Sequence, residues 1–404
     1  MPESHTPKRV VILRGTMCSG KTTLENMMQR GDMHLCDCEI LREAVADGYY
    51  YAMVNEIDAM LQAGTDFREL ADRHPAHTLV VDSCVHAQAI AEAFADTEVV
   101  QVCLVAPWYI IAARRRLRMI LMGTKPAAVE ADPHYARYAM EYAGPNYAQE
   151  LAVAGTDLIF VNTADYPWKV IEASELQAML NPLFAWPLIE DPTQLYQQTL
   201  RIWKHWYGNI GRVPFEEARQ NVVLPECCDG MSVMDVGGSE GGFCFEAINR
   251  GATYALNVEI REPQLALART IRDGMRQPLS VANINVDEHG LPSLNDFDGA
   301  TRRWDLTLML NILHRVKDPE KTFRQALAIS RQVVVEAPFC IGDEPRKGVE
   351  GSKYPETTHL PPLWIQTIAE SMRFELSSIA LGPYVPQQRL VYHLKWRNGN
   401  NGYS

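Results

Sequence analysis

Apolar positions in the first half of the chain form short runs, each followed by a polar or glycine-rich turn. Strands are predicted at residues 10–13, 33–37, 78–83, 99–105 and 157–163. Between them, apolar residues recur at three- and four-residue spacing, which predicts helices at residues 22–29, 49–72, 106–123 and 167–179. Strands that alternate with helices are typical of a doubly wound sheet. The first half is therefore predicted to be one small α/β domain.

The second half repeats this alternation after a break. Proline recurs through residues 181–192, which interrupts the pattern and indicates a linker. Strands are then predicted at residues 231–236 and 254–259, a polar-ended segment covers 281–287, and residues 303–316 supply a fourth strand with its exit loop. A further helix begins at 317–319. The fold class is therefore predicted as α/β with two doubly wound domains, at residues 1–185 and 186–404.

Composition narrows the partners more than the fold. The 404 residues are 47% apolar and 22% charged, as in an ordinary globular protein, and the formal net charge is −12. Duplex nucleic acid is not an expected partner, because it requires clustered Lys and Arg. Small molecules, nucleotides or glycan ends are expected instead, and the oligomeric state is left open.

The location follows from what the sequence lacks. No apolar stretch approaches the roughly 18 residues of a membrane span, and the first residues do not resemble a signal peptide. Nine cysteines without a C-x-x-C pair favour reduced structural thiols. We therefore expect a cytoplasmic protein that does not contact a membrane.

The first predicted strand runs directly into a glycine-rich turn at residues 15–22, with the sequence G-T-M-C-S-G-K-T. This is a complete G-x-x-x-x-G-K-[ST] motif between a strand and a helix, the setting that phosphate binding requires. Backbone N–H groups of such a turn point at phosphate, the lysine reaches the outer phosphates and the hydroxyl binds Mg²⁺. The motif predicts ATP binding by Gly15, Ser19, Gly20, Lys21, Thr22 and Thr23, with Lys21 catalytic and Thr22 a ligand of Mg²⁺.

Two acidic residues end predicted strands of the same domain. Asp37 is a candidate to accept or orient the proton of an attacking hydroxyl. It is equally suited to cap the helix that follows. Asp82 ends a buried run, where an acid helps to hold Mg²⁺ through water. A strand-end aspartate also occurs for turn reasons alone.

The helix at 106–123 carries arginines at positions 114, 115, 116 and 118. Arg115 and Arg118 share one face by i,i+3 spacing. Such a face can close as a lid over transferring phosphates. A solvated basic face is the alternative. Both residues are therefore candidates for catalysis, without a contact that fixes their role.

These features of the first half resemble the P-loop nucleoside and nucleotide kinase superfamily. The resemblance is carried by the turn at 15–22, Asp37, Asp82 and the arginine helix, and only the turn is specific. No N-K-x-D motif for guanine is present. The resemblance implies a P-loop kinase-like parallel sheet and ATP-dependent phosphorylation of a hydroxyl.

A second glycine-rich turn lies at residues 235–241, again between a predicted strand and a helix. Its D-x-G-x-S-x-G spacing differs from the dinucleotide motif G-x-G-x-x-G. Glu259 ends the next predicted strand, at a distance where a carboxylate can accept both hydroxyls of a ribose. The predicted cofactor-binding residues here are Asp235, Gly237, Gly238, Ser239, Gly241 and Glu259.

Further polar residues follow the later strands. Asp287, or Asn285, is placed to contact an adenine, and Asn311 ends the fourth strand as a further cofactor-binding candidate. His314 lies in the exit loop and could deprotonate an acceptor hydroxyl or position it. A structural histidine bonded to backbone is the alternative. A metal site of His314, His359 and Glu336 lacks the spacing of a metal motif.

The second half resembles class I S-adenosyl-L-methionine-dependent methyltransferases, and among them the tRNA wobble-uridine carboxymethyltransferase branch. The resemblance covers roughly residues 195–395. It is carried by the turn at 235–241, by Glu259 and by the stretch at 311–319. It implies a Rossmann-like sheet that binds S-adenosyl-L-methionine.

Together the two halves predict a bifunctional transferase. The first would use ATP and Mg²⁺ to phosphorylate a hydroxyl on a small molecule, nucleotide or glycan end, and the second would transfer a methyl group. Two alternatives remain open. The P-loop domain could be a regulatory ATP-binding module beside a methyltransferase, or the chain could modify nucleic acid, as the hydroxymethyl-pyrimidine kinases of phage DNA hypermodification do.

Overall fold

The computed structural model describes residues 6–15, 20–82, 86–106, 157–161, 165–171, 221–275, 277–298, 303–347, 358–381 and 389–397. The chain divides into two compact units. Unit 1 comprises Met1–Leu183 and Asp296–Gly299, and unit 2 comprises Phe184–Asn295 and Ala300–Ser404. Each contains a sheet with parallel strands, so the chain is mixed α/β. The predicted boundary and the arginine helix beyond residue 106 lie outside the described residues.

The described residues of unit 1 form short strands along most of its length. They are Arg9–Arg14 (β1), Tyr49–Ala52 (β2), Thr78–Asp82 (β3), Glu98–Val105 (β4), Leu158–Val161 (β5), Asp165–Tyr166 (β6) and Lys169–Ile171 (β7). In the sheet of unit 1 the order is β2, β3, β1, β4, β5, β7. All neighbours are parallel except β5 and β7. The strands predicted at 10–13, 78–83, 99–105 and 157–163 are confirmed over the residues of these ranges that the structure describes.

Three other predictions in unit 1 are wrong. Residues 33–37 are not a strand, because Met33–Leu35 form a 3-10 turn. The second strand is β2, which occupies the start of the helix predicted for 49–72; residues 54–63 and 68–73 are helical. Consecutive tyrosines favour a strand, and Gly48, at φ 90°, ends the preceding helix. A helix predicted from residue 167 is contradicted by strand β7, which pairs with β5.

The helices of unit 1 pack their apolar residues on the sheet. They are Lys21–Arg30 (α1), Glu39–Asp47 (α2), Val54–Ala63 (α3), Arg68–Arg73 (α4) and Ala87–Ala93 (α5). Ile57 and Ile90 are fully buried in one cluster with Ile12 of β1 and Val81 of β3. Full burial of such a side chain contributes about 1.5–3 kcal/mol. This core fixes the strands whose carboxyl ends carry the predicted phosphate turn.

The strand order makes the carboxyl end of β1 a switch point. The chain leaves β1 toward β2 on one side of the sheet and leaves β4 toward β5 on the other. In open α/β sheets, ligands bind outside the carboxyl ends of strands at such a point. The turn that begins at Gly15 therefore lies where a ligand site is expected.

Unit 2 has a Rossmann-like strand order. Its strands are Ser232–Val236 (β8), Tyr254–Glu259 (β9), Leu279–Asn283 (β10), Leu306–Leu310 (β11), Gln332–Pro338 (β12), Phe374–Leu381 (β13) and Arg389–Trp396 (β14). They lie in the order β10, β9, β8, β11, β12, β14, β13. The first five are mutually parallel, and β14 runs antiparallel to both neighbours. The switch point, where the order reverses, falls between β8 and β11.

The remaining helices connect these strands. They are Gly242–Asn249 (α6), Glu262–Met275 (α7), Val286–His289 (α8), Asn295–Asp298 (α9), Pro319–Ile329 (α10) and Pro362–Ser371 (α11). The predicted start of α10 is confirmed, since the Asp318 side chain accepts the Lys321 N–H at 2.9 Å and Pro319 follows the cap. Phe323 of α10 and Ile365 of α11 are buried in one cluster. None of the helices described here is long and apolar enough to cross a membrane.

Candidate functional sites

The turn after β1 is framed by two glycines in backbone conformations that side chains rarely adopt. Gly15 has φ 144° and Gly20 has φ 112°. Lys21 begins α1, and its Nζ donates to the Gly15 carbonyl oxygen at 2.6 Å. The ammonium group is therefore folded back across the turn, at the carboxyl end of β1.

Asp82 and Glu25 bring two carboxyl groups toward the same end of the sheet. Asp82 ends β3, as predicted, and is level with Leu13 of β1. Glu25 is buried one helical turn after Lys21. Burial raises the pKa of Asp82, and the Lys21 charge offsets part of that rise. Burial and the negative charge of Asp82 raise the pKa of Glu25, although a hydrogen bond from Gln29 opposes them.

A bound cation would stabilise this pair of carboxyl groups, because it favours the ionised form of both. Mg²⁺ bound together with a nucleotide needs only one or two protein carboxylates. Larger metal sites are not seen: in the parts of the chain that the structure describes, no three His, Cys, Asp or Glu side chains are arranged to bind a metal ion. His314, His359 and Glu336 are among the described residues and are not arranged as a metal site.

Asp37 does not follow a strand, contrary to the prediction. Its side chain is 57% exposed in the loop before α2, 3.9 Å from the Arg42 guanidinium. Its N–H donates to the Trp168 carbonyl oxygen at 2.8 Å. The cap position of α2 is Cys38, so Asp37 does not cap that helix either. Its accessible carboxylate keeps it a candidate for binding an acceptor, without a described contact to the turn.

The structure describes only some of the other residues predicted for this site. Thr22 is exposed and Thr23 is buried on α1. Ser19, Arg115 and Arg118 lie outside the described residues. The first site therefore consists, in the described structure, of a lysine, two carboxyl groups and the two ends of the turn.

The turn after β8 combines three residues with positive φ. Gly237 has φ 73°, Ser239 54° and Gly241 81°. The Gly237 N–H donates to the Val258 carbonyl oxygen at 2.7 Å, which ties the turn to β9. A left-handed residue other than glycine is strained, and such strain is found at functional sites more than elsewhere. Ser239 is the strained residue here.

Gly238 is the position where the turn packs against the sheet. A Cβ added there would lie 2.4 Å from Asn257 Oδ1 and 2.6 Å from Asp235 Oδ2. Asn257 is fully buried on β9, and its Nδ2 donates to the Ser239 carbonyl oxygen at 2.8 Å. The turn thus depends on glycine at 238 and on an amide beneath it.

Glu259 ends β9 with its carboxylate against this turn, as predicted, and is only 5% exposed. Its Oε1 accepts the backbone N–H groups of Ile260 and Arg261 at 2.9 and 3.0 Å, and its Oε2 accepts the Ser239 N–H at 3.2 Å. The Arg261 guanidinium adds Nε to Oε1 at 3.2 Å and Nη2 to Oε2 at 3.1 Å. Burial acts to raise the pKa of Glu259, but these hydrogen bonds outweigh it and lower the pKa. The carboxylate is therefore held charged.

Asn311 directly follows β11, which lies on the other side of β8 from β9. It has φ 61°, and its N–H donates to the Glu336 carbonyl oxygen at 2.8 Å. Its Oδ1 is buried and accepts no hydrogen bond from the residues described. A Cβ on Gly237 would lie 3.0 Å from the neighbouring Ile312 side chain. The loops after β8 and β11 therefore meet at the switch point of the sheet.

Asp287 has a structural role that its sequence position did not indicate. Its Oδ1 accepts the Lys317 N–H at 2.8 Å, and its own N–H donates to Asn285 Oδ1 at 3.2 Å. Asp287 thereby joins α8 to the loop that leads into α10. Its proposed contact with an adenine stays a prediction.

His314 is buried in the loop after β11, with 6% of its surface exposed. Burial and the positive charges of Arg315 and Arg389, with a contribution from His359, lower its pKa to about 3. Arg315 Nε donates to His314 Nε2 at 3.4 Å, which places the hydrogen of the neutral ring on Nδ1. Nδ1 has no acceptor among the residues described. The imidazole is therefore neutral at neutral pH.

Sequence reasoning missed three residues that the structure brings into these sites. Glu25, Asn257 and Arg261 were not named, although each had a signal. Glu25 lies four residues after Lys21 on the same helix face. Asn257 is a lone amide inside an apolar strand, and buried amides need partners. Arg261 follows Glu259 closely enough to fold back on it.

Comparisons with known proteins give a fold likeness only. No protein-family model and no curated protein sequence matches the chain. Among solved structures, magnesium protoporphyrin IX methyltransferase ChlM from Synechocystis PCC 6803 is 12% identical, over 42% of this chain and 72% of that one, with a TM-score of 0.33. A methyltransferase dependent on S-adenosylmethionine from Mesorhizobium loti is 21% identical, over 44% and 95%, with a TM-score of 0.33. The cyclase SpnF is 12% identical, over 45% and 81%, with a TM-score of 0.35. Since one fold hosts many chemistries, a function for this chain has to come from its own sites.

Proposed function

We propose that unit 2 binds S-adenosyl-L-methionine at the turn after β8 and transfers its methyl group to an acceptor beyond the end of β11. The observation that carries the proposal is the charged, nearly buried carboxylate of Glu259, held against a glycine turn that allows no side chain at Gly238. A fixed carboxylate at the end of the second strand is suited to accept the two hydroxyls of a ribose.

The donor set at the switch point fits the rest of the cofactor. Asn311 offers a buried Oδ1 that accepts nothing from the described residues, which suits an ammonium or other donor of the ligand. The residues that would hold the cofactor are therefore the turn at 237–241, Glu259 and Asn311.

The bound cofactor would supply a methyl group on a positive sulfur, and the chain would supply position. His314 would contribute to positioning the acceptor. With its pKa lowered to about 3, the imidazole is a weak base and does not retain a proton at neutral pH. We therefore assign it to orienting an acceptor hydroxyl by hydrogen bonding, rather than to deprotonating it.

Calorimetry with S-adenosyl-L-methionine tests this proposal directly. Saturable one-to-one binding is expected, weakened at least about tenfold in Glu259→Gln, because the amide loses one acceptor and presents a donor instead. Mass spectrometry of co-purified small molecules, before and after incubation with the cofactor, would identify a methylated acceptor. Binding that is absent, or unaffected by Glu259→Gln, would refute the assignment.

We propose in addition that unit 1 binds ATP with Mg²⁺ and phosphorylates a hydroxyl on a small molecule, nucleotide or glycan end. Supporting this are the Lys21 ammonium across the turn and the two carboxyl groups of Asp82 and Glu25, whose ionisation burial disfavours. Lys21 would neutralise the outer phosphates, and the carboxylates would hold the cation. Asp37 would orient the acceptor, and Arg115 and Arg118 would close over the phosphates.

Product analysis separates this activity from a regulatory role. Incubation with ATP, Mg²⁺ and candidate alcohols is expected to yield ADP and a phosphorylated acceptor in equal amounts. Release of inorganic phosphate without a phosphorylated acceptor would favour an ATP-binding switch instead. If ATP does not bind at all, the phosphoryl-transfer proposal is wrong for unit 1.

A further inference from the structure

The carboxylate of Glu259 has more hydrogen-bond donors than it has places for them. A carboxylate offers about four lone-pair positions. Backbone N–H groups of Ser239, Ile260 and Arg261 lie within 3.2 Å, and the Arg261 guanidinium contributes two more donors within 3.2 Å. A ribose that binds here through two hydroxyls must therefore replace some of these donors.

The backbone donors are fixed by the fold, whereas the guanidinium is not. The three N–H groups belong to the turn and to the residues directly after β9. The Arg261 side chain is 49% exposed, and its Nη2 also reaches Ser239 Oγ at 3.4 Å. Because the guanidinium is half exposed, it returns to water when the contact breaks, so its release costs less than that of a buried arginine. The lone pairs covered by Arg261 are the ones a ligand from solvent would meet.

We propose that the Arg261 guanidinium is a displaceable cover on the ribose subsite of Glu259, which must swing away before the ribose hydroxyls of S-adenosyl-L-methionine bind. This rests on the proposed function of unit 2 and adds to it a residue that sets affinity without helping to bind. A ligand that needs the uncovered form binds more weakly, in proportion to the fraction of molecules that are uncovered. Removal of the cover is therefore expected to tighten binding, although it removes a side chain from the site.

The test compares S-adenosylhomocysteine binding by calorimetry in the full chain and in Arg261→Met, which keeps an unbranched stem and loses all guanidinium donors. About fivefold tighter binding is expected in Arg261→Met. Arg261→Lys, which keeps the charge without the fork, is expected to fall between it and the wild type. Arg324→Met is the matched control, since Arg324 is an exposed arginine bound to Glu320 at 2.8 Å on α10, and its loss should leave affinity unchanged.

A double-variant cycle shows whether the effect passes through Glu259. In a Glu259→Gln background, Arg261→Met is expected to give no gain, because the cover has no carboxylate to occupy. Equal or weaker binding in Arg261→Met alone, with normal thermal unfolding, would overturn the cover and make Arg261 a ligand contact or a bystander. A gain that persists in Glu259→Gln would overturn it as well. If neither the wild type nor Arg261→Met binds, the proposed cover and the methyltransferase proposal both fail. If the wild type binds and Glu259→Gln does not weaken that binding, the methyltransferase proposal fails at Glu259, independently of Arg261.

Discussion

Asp82 in unit 1 and Glu259 in unit 2 occupy corresponding places, each at the end of a parallel strand beside a glycine-rich turn. Their electrostatics are opposite. Burial raises the pKa of Asp82, and only Lys21 opposes it. At Glu259, the hydrogen bonds overcome burial and lower the pKa. The same sequence pattern thus yields a carboxyl group whose burial is compensated only in part, by Lys21, in one unit and a carboxylate that is supplied with hydrogen-bond donors in the other.

The opposite pKa shifts indicate which ligand group each carboxylate is suited to bind. A carboxyl group whose charge is penalised gains most from a cation, which favours its ionised form. A carboxylate already stabilised by hydrogen bonds is suited to exchange some of them for neutral hydroxyl donors. Substitutions in one unit should therefore leave the ligand of the other unit bound as before.

The largest effect is expected from Lys21→Ala. Loss of the ammonium group removes charge stabilisation of the outer phosphates and the partial compensation of Asp82, so ATP turnover should fall by about 100- to 1,000-fold. Binding of S-adenosyl-L-methionine should be unchanged, which calorimetry checks. Unaltered ADP release in the variant would contradict phosphoryl transfer at this turn.

Gly238→Ala is the reciprocal change in unit 2. Its Cβ would lie 2.4 Å from Asn257 Oδ1 and 2.6 Å from Asp235 Oδ2, so the turn must move away from the sheet. Affinity for S-adenosyl-L-methionine should fall by about tenfold to 100-fold, and ATP turnover should be unchanged. Gly290→Ala is the control for a general effect of a strained backbone: Gly290, unlike Gly238, has positive φ, 75°, and its Cβ would meet only the flexible end of Gln325, at 3.0 Å. Equal losses in both variants would show a general folding defect instead of a local one.

His314 is a second group of unit 2 with a shifted pKa, and it is held neutral whereas Glu259 is held charged. Its pKa of about 3 lies below the ordinary histidine value, so the unfolded chain binds a proton that the folded chain refuses. The unfolding free energy should therefore fall as the pH drops below about 6.5, by about 2 kcal/mol at pH 5 from this residue alone. Urea unfolding of His314→Gln should show a correspondingly shallower loss between pH 7 and pH 5. Parallel curves for variant and wild type would contradict a buried neutral imidazole.

Sequence alone predicted the strand ends of these sites far better than their surroundings. The apolar runs that became β1, β3, β8 and β9 were readable, because a strand buried on both faces needs continuous apolar residues. The apolar run that ends at Asp37 has a similar pattern, but the strand predicted there is wrong. Its apolar residues fold into a 3-10 turn, while the tyrosines of β2 supply the strand. Local pattern did not distinguish the two, because pairing with β3 decides between them.

The charge states could not be read from the sequence, since they depend on contacts made by the fold. Burial raises the pKa of Asp82 with only partial compensation from Lys21, whereas the Arg261 guanidinium and the surrounding N–H groups lower the pKa of Glu259. The pKa of His314 depends on Arg389, distant in sequence. Such neighbours are assembled only when the strands are placed side by side.

The smallest effect, and the most direct test of the contrast, is the pair Asp82→Asn and Glu259→Gln. A raised pKa means that ionised Asp82 destabilises the folded state at neutral pH, a cost that disappears as the pH falls and the group is protonated. A lowered pKa means that Glu259 stabilises the folded state above its ordinary pKa, and that this contribution is lost as the pH falls. At pH 7, Asp82→Asn should therefore raise local stability, and Glu259→Gln should lower it. Hydrogen exchange of the amides in β3 and β9 reads the two units separately. If both variants lose protection, burial does not dominate at Asp82, and the argument that unit 1 is prepared for a cation loses its electrostatic basis.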